Sequence, residues 1–302
     1  MTAELTAGAT HGTDGLEELL ARDFAAWQVE AGGCALVSGQ GIAASAGDID
    51  EVLPWASVTK VLAALAVLSA VEDGLLSLSA PAGPPGSTVR HLLAHASGLA
   101  FNDERVVVQP GTRRIYSNVG IDLVADLAAE RAGAASPAEL ITERVLRPLG
   151  MDATRLIGAA AHGAVGPVRD LARLAVELVQ PTLLPVQVAA TPAFPRLAGV
   201  LPGYGRQTPN AWGLGLEIRG TKSPHWMPGS ASKAAFGHFG QAGSFIWVDP
   251  SISLAAVAAT GTAFGPWAVE AWPASSARWR AAWLARAGAS GGVASTMEGE
   301  SR

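Results

Sequence analysis

The chain has 302 residues, of which 49% are hydrophobic and 16% charged, and its formal net charge is −5. This balance is typical of a globular protein and lacks the concentrated positive charge of a nucleic-acid-binding surface. The single cysteine, Cys34, excludes an intramolecular disulfide and has no companions at zinc-ligand spacing. We therefore expect no metal, no other cofactor and no nucleic-acid partner.

The first 33 residues lack the basic start, apolar stretch and cleavage site of a secretory signal peptide. No run of about 18 apolar residues indicates a membrane span. These features predict a cytoplasmic protein without a membrane partner. They leave the oligomeric state open.

Apolar periodicity and the positions of Pro and Gly predict the following elements in chain order: a helix at 15–31, strands at 34–39 and 41–45, an apolar helix at 57–74, a helical turn at 91–95, helices at 119–132, 137–147 and 168–179, strands at 213–218, 244–249 and 253–259, and a helix at 273–287. The Pro-, Gly- and Trp-rich stretch 181–237 predicts long loops over a cleft.

Strands at both ends of the chain and helices between them predict an α+β fold. In it, an antiparallel sheet is built from both chain ends and flanked by helices, with an inserted, mainly helical subdomain at about 75–180. We divide the chain into an N-terminal segment and helix (1–33), a single domain (34–287) and a disordered tail (288–302).

Ser57 and Lys60 stand three residues apart at the start of the apolar helix. Such positions share a helix face, so the hydroxyl and the amine can meet, and the helix start offers free N–H groups to an oxyanion. Lysine occurs at only two other positions, Lys222 and Lys233, and a buried lysine can act as a base whereas an arginine cannot. A second S-x-x-K pattern ends at Lys233, but its Pro/Gly/Ser-rich surroundings contain no helix start and we discount it.

Two further motifs follow: Tyr116-Ser117-Asn118 before the helix at 119–132, and His238-Phe239-Gly240-Gln241-Ala242-Gly243 before the strand at 244–249. A serine, a lysine and a tyrosine brought together can transfer an acyl group, because the lysine and the tyrosine share the serine proton and the tyrosine passes it to the leaving group. The Asn118 amide can hold Lys60 or a substrate amide.

The order S-x-x-K, Y-S-N and H-x-G resembles the class C β-lactamase and D-alanyl-D-alanine carboxypeptidase-like serine hydrolase superfamily. Stretches at 89–99, 147–151 and 236–244 are similar to the same family, and the resemblance covers roughly residues 34–287. It implies a β-lactamase/transpeptidase-like fold.

The resemblance also implies a role for each motif residue. Ser57 would be the acylated nucleophile, Lys60 its proton acceptor and Tyr116 the second acid/base group. The residues implied to bind substrate are Asn118, His238, Gly240 and Gln241. The backbone N–H groups of Ser57 and Gln241 would form the oxyanion hole.

The third motif departs from the β-lactamase pattern in two places. His238 stands where those enzymes usually carry lysine, and a mostly neutral histidine holds a carboxylate less well. Phe239 replaces a small hydroxylated residue and makes the cleft narrower and more apolar. We therefore expect a small-molecule ester or amide substrate, most consistent with an esterase. A transacylase and a non-catalytic binding protein remain as alternatives.

Five further residues are left without a chemical role. His91 and His95 lack the glutamate of a metal-binding H-E-x-x-H motif and are expected to be structural. Trp212, Trp226 and Met227 fall in the predicted loop region, where they fit either the core or the wall of an acyl pocket.

Overall fold

The computed structural model describes residues 14–294, with side chains described for 15–287. Its helices are α1 (Asp14–Ala26), α2 (Thr59–Glu72), α3 (Val89–Leu93), α4 (Asn118–Ala132), α5 (Pro137–Ile141), α6 (Val168–Val179), α7 (Val186–Ala190) and α8 (Pro266–Ala294). A 3₁₀ turn at Ala56–Val58 leads into α2, and a π-helical segment at Thr142–Leu146 continues α5.

The strands are β1 (Gly32–Ser38), β2 (Gly41–Gly47), β3 (Leu53–Pro54), β4 (Arg155–Leu156), β5 (Ala164–Gly166), β6 (Gly199–Leu201), β7 (Gly205–Gln207), β8 (Glu217–Ile218), β9 (Phe236–Gly240), β10 (Ser244–Asp249) and β11 (Leu254–Thr260). In the described part of the chain, the main sheet has six strands in the order β2-β1-β11-β10-β9-β8. Every neighbouring pair is antiparallel. The prediction of an α+β fold with an antiparallel sheet assembled from both chain ends is confirmed.

The central strands are buried on both faces, which explains their nearly continuous apolar sequences. Side chains of successive strand residues point to opposite faces. In β1, Ala35 and Val37 belong to the hydrophobic cluster that contains α2, α4 and α6, whereas Cys34 and Leu36 belong to the cluster that contains α1 and α8. The sheet is therefore the middle layer between two groups of helices.

Helix α2 is buried along nearly its whole length between the sheet and the helical region. The sequence predicts this, because the helix is apolar on every side. Its start is consequently fixed in position. Ser57 and Lys60 project from this buried frame rather than from a mobile loop.

Several predicted elements differ from the structure in their bounds. The strand predicted at 213–218 is limited to Glu217–Ile218. The first helix ends at Ala26 because Gln28 adopts a left-handed conformation, with φ of 54°. The last helix begins at Pro266, not Pro273, since either proline fits a helix start and Pro273 lies inside the helix. Its backbone continues through Ala294, into the segment predicted to be a disordered tail, and 295–302 lie outside the described residues.

The stretch predicted as long loops contains α7, a β6–β7 hairpin, β8 and the start of β9. These elements are short, so their apolar periodicity is too brief to recognise in the sequence. The predicted division at residue 33 remains a prediction, although α1 packs against β2 and α8. No helix within residues 14–294 combines the length and the hydropathy needed to cross a membrane.

Candidate active site

Ser57 lies on the 3₁₀ turn that precedes α2. The residue before it, Ala56, has φ of 42°, a left-handed conformation that costs a non-glycine residue about 1–3 kcal/mol. Trp55 anchors the turn: its backbone N–H donates to the Ala164 carbonyl at 2.9 Å and its indole N–H to the Gly166 carbonyl at 2.9 Å. Strand β5 therefore holds the strained turn from one side.

The end of β9 and the start of β10 hold the same turn from the other side. The Ser244 hydroxyl donates to the Trp55 carbonyl at 2.7 Å. A Cβ added to Gly240 would collide with that carbonyl oxygen and would lie 3.2 Å from the Ala56 Cβ. The turn itself thus requires a glycine at position 240, a reason distinct from the substrate contact that the resemblance implies.

Ser57 and Gln241 directly follow these two touching segments, and both line a cavity of about 630 Å³. Among the hydrogen bonds of the described residues, neither backbone N–H donates to a protein acceptor. Both are therefore free to bind an oxyanion beside Ser57, as the resemblance implies. Gln241 keeps its side chain exposed.

Lys60 is fully buried, and its ammonium group contacts three acceptors. The Nζ–oxygen distances are 3.2 Å to Ser57 Oγ, 2.6 Å to Asn118 Oδ1 and 2.8 Å to the Ala161 carbonyl. These partners match the three donors of an ammonium group and leave it pointing at the serine. The predicted contact between Lys60 and Asn118 is present.

Burial lowers the pKa of Lys60 from 10.5 to about 7. Half-buried Asp122, on the next turn of α4 after Asn118, opposes this shift through its negative charge. The Asp122 carboxylate accepts the Ala161 N–H at 2.8 Å, while the Ala161 carbonyl accepts from Lys60. Asp122 is thus linked to the lysine through the backbone of one residue.

Replacing Asp122 with asparagine should shift the acidic limb of the kcat/KM profile to lower pH, by less than about one unit. Loss of the negative charge destabilises the Lys60 ammonium, so the amine is neutral at lower pH and can accept a proton there. Activity measured across the acidic limb checks this. Asp126→Asn, an exposed position one turn further on, is the control, and an unshifted profile in Asp122→Asn would contradict the link.

Tyr116 places its hydroxyl between Ser57 and the third motif. Its Oη lies 3.4 Å from His238 Nε2, its ring centroid lies 4.7 Å from Lys60 Nζ, and its hydroxyl interacts with the Ser57 side chain. Burial raises the pKa of Tyr116 well above its usual value, although the Ser57 hydroxyl acts in the opposite direction. Tyr116 is therefore a neutral phenol that can donate or relay a proton.

His238 is buried behind Tyr116. Its Nδ1 donates to the Phe239 carbonyl at 2.7 Å, which leaves Nε2 as the acceptor facing the tyrosine hydroxyl. Burial, assisted by the charge of Lys60, lowers the pKa of His238 to about 3. The third motif therefore supplies no positive charge at neutral pH.

The Y-S-N segment is fixed by its central serine. Ser117 caps α4 by accepting the Gly120 N–H at 3.1 Å, and its backbone N–H donates to Nδ1 of buried His95 at 3.2 Å. The His95 ring also packs against Tyr116, with centroids 4.5 Å apart. His95 thus supports the tyrosine, and Asn118 donates to Asn102 at 2.7 Å as well as accepting from Lys60.

The cavity beside Ser57 is lined mainly by apolar and aromatic side chains. Tyr116, Trp212 and Phe239 form part of its wall together with residues of β6. Trp226 and Met227 lie in the core between the sheet and α8. The sequence left open whether Trp212, Trp226 and Met227 belong to the core or to the pocket wall. Trp212 lines the pocket, and the other two belong to the core.

A buried ionic cluster beneath the cavity was not predicted from the sequence. Glu217 accepts from Lys222 at 2.6 Å, from His225 at 2.8 Å and from the Trp226 indole at 2.8 Å. Burial by itself would raise the pKa of Glu217, but the charges of Lys222 and His225 hold it well below its usual range. The scarcity of lysine in the sequence could have drawn attention to Lys222, but no sequence feature distinguishes Glu217.

Comparisons with known proteins identify the family and the fold of the chain. A family model described as Beta-lactamase matches residues 8–278. Among solved structures, a β-lactamase from Mycobacterium bovis is 48% identical over 87% of this chain and 98% of its own, with a TM-score of 0.84. A penicillin-binding protein homologue from Pyrococcus abyssi is 19% identical, covering 90% and 77% of the two chains, with a TM-score of 0.70.

A mutant of simvastatin synthase from Aspergillus terreus is 15% identical over 92% of this chain and 100% of its own, with a TM-score of 0.67. At these low identities the last two similarities show the fold alone. No curated protein matches the chain. The predicted β-lactamase/transpeptidase-like fold is confirmed, and the chain belongs to the β-lactamase family, whose members are serine hydrolases or acyltransferases.

Proposed function

We propose that the protein is an esterase-type serine hydrolase that cleaves an ester or amide through an acyl-enzyme on Ser57. One observation carries the proposal: the buried Lys60 amine lies 3.2 Å from the Ser57 hydroxyl and has a pKa near 7. Such an amine is partly neutral at neutral pH and can take the serine proton during attack. This favours Lys60 over Tyr116 as the first proton acceptor.

In the first half of the reaction, Ser57 Oγ bonds to the substrate carbonyl carbon and its proton moves to Lys60. The N–H groups of Ser57 and Gln241 bind the developing oxyanion. Tyr116, in contact with the serine and over the lysine, passes the proton to the leaving oxygen or nitrogen as that bond breaks. In the second half, water attacks the acyl-enzyme and releases the acid and free Ser57.

The apolar cavity favours an apolar acyl group, and the neutral His238 disfavours β-lactam substrates that rely on a cation at that motif. The binding role implied for Asn118, His238, Gly240 and Gln241 remains part of this proposal, as does the cytoplasmic location expected from the sequence.

A transacylase is the second candidate. The aromatic wall formed by Trp212 and Phe239 favours it, because a water-poor cavity protects an acyl-enzyme until an alcohol or amine arrives. Adding a primary alcohol or amine to a p-nitrophenyl ester assay separates the two candidates. A transacylase forms mainly the new ester or amide, and a hydrolase forms mainly the free acid.

Replacing Ser57 with alanine should lower p-nitrophenyl ester turnover by at least about 10³-fold, because no acyl-enzyme can form. Release of nitrophenol by the wild type and the variant measures this. Ser230→Ala, which removes the exposed serine of the other S-x-x-K pattern, is the matched control. If no activated ester shows turnover that depends on Ser57, the result would instead support a non-catalytic binding protein.

A further inference from the structure

Two exposed arginines line the cavity that opens at Ser57. Arg113 and Arg206 are both exposed lining residues. Within residues 14–294, neither guanidinium group has an ion-pair or hydrogen-bond partner. An arginine beside an apolar cavity is a strong donor to carboxylate and phosphate groups, because its planar fork matches their oxygens.

The backbone around the arginines is fixed. Next to Arg113, the buried Arg114 side chain donates to the Asn210 carbonyl at 3.1 Å and the Ala193 carbonyl at 2.9 Å. It also donates to the Ala94 carbonyl. Arg113 therefore belongs to a segment that hydrogen bonds hold to three other segments.

Strand β6 lies between the two arginines. Arg114 forms a bridge with Gly199 of β6, and Arg206 of β7 pairs with Val200 of β6. Adjacent strands are about 4.8 Å apart, so the two arginine backbones are roughly 10 Å apart across β6. At that separation two long side chains can reach one anionic group.

The third arginine of the cavity lining, Arg114, is buried, and its guanidinium group already donates to backbone carbonyls. Glu217 is the only acidic residue among the lining residues that the structure describes, and it is already paired with Lys222 and His225. His238 is neutral, and Lys60 is directed at Ser57. Among the lining residues that the structure describes, Arg113 and Arg206 are therefore the two arginines whose guanidinium groups are left to bind a ligand.

We propose that the acyl donor carries an anionic group, a carboxylate or a phosphate, at the far end of an apolar acyl chain, and that Arg113 and Arg206 bind this group. This inference rests on the proposed function, because it names the substrate class of the same site. In this protein the anion would be bound by the segment before Tyr116 and by β7, and not by a cation in the third motif. The apolar cavity between them and Ser57 holds the chain.

The test compares two esters of equal chain length, p-nitrophenyl hexanoate and the mono-p-nitrophenyl ester of adipic acid. The wild type should prefer the adipate ester in kcat/KM, and the Arg113→Gln/Arg206→Gln variant should reduce the adipate-to-hexanoate ratio by roughly 5- to 20-fold. About 1 M salt should reduce the ratio in the wild type by screening the exposed charges. Arg155→Gln removes an exposed arginine outside the cavity and should leave the ratio unchanged.

An analogous ester with a terminal phosphonate distinguishes the two anions, since the group with the larger ratio is the one that the site fits. A wild-type ratio near one, or a ratio that survives the double substitution, would overturn the inference. So would a preference that appears only when the carboxylate is on the leaving group. Failure of the proposed function is distinct, because then neither ester would show Ser57-dependent turnover.

Discussion

Replacing Lys60 with arginine is expected to lower kcat for an activated ester by about 10²–10⁴-fold. Arginine keeps the positive charge but cannot release its proton at any pH that the protein tolerates. The wild-type amine, with its pKa lowered by burial to about 7, becomes neutral as pH rises through that value. The wild-type kcat/KM should therefore increase with pH along an acidic limb with an apparent pKa near 7.

The measurement is the pH profile of p-nitrophenyl ester turnover for both proteins. Lys233→Arg makes the same substitution at an exposed lysine and should keep the wild-type profile. A Lys60→Arg variant that retains a tenth or more of the activity would contradict the role of Lys60 as the base. A profile without a limb near neutrality would contradict the effect of burial on its pKa.

Replacing Gly240 with alanine is expected to reduce both activity and stability. The new methyl group would collide with the Trp55 carbonyl, so the end of β9 or the turn that carries Ser57 must move. Overpacking of this kind lowers the free energy of unfolding by about 1–3 kcal/mol. A displacement of about 1 Å at the nucleophile lowers kcat by roughly 10²-fold.

Thermal unfolding and kcat of the variant measure the two effects. Gly229→Ala is the matched control, because a Cβ there would meet nothing within 4 Å. Wild-type kcat in Gly240→Ala would mean that the contact between β9 and the Trp55–Ala56 backbone does not position Ser57.

The sequence predicts the framework of this protein well where the pattern is long and strong. Helix α6 is found over 168–179 as predicted, and strand β10 over 244–249. Both have clear limits, at Pro181 for the helix and at Gly243 and Pro250 for the strand. Helix α2 was recognisable as buried because its apolar residues leave no polar face.

The short strands between α6 and β9 could not be predicted from sequence patterns. Strands β6, β7 and β8 have two or three residues each. They form by pairing: β6 pairs with β7 and bridges to Arg114, and β8 pairs with β9. Long-range pairing of this kind leaves no local periodicity. The same limit hid the cavity wall that these strands build.

The candidate site shows the same division. Ser57, Lys60, Tyr116 and Asn118 were recognisable because their motifs are local, and the structure brings all four together. Asp122 and Ala161 act on Lys60 from separate segments, and only folding places them beside it. Arg113 and Arg206 are likewise far apart in sequence. Nothing in the sequence distinguishes them from other arginines, and only the structure shows that they line one cavity.

The central claim is that Ser57 becomes acylated, and the mass of the intact protein during turnover tests it most directly. After mixing with excess p-nitrophenyl ester and rapid acid quenching, we expect the protein to gain the mass of one acyl group. Peptide mapping should place it on Ser57, and it should be absent from Ser57→Ala. An adduct on another residue, or ester turnover with no adduct and no dependence on Ser57, would contradict the account.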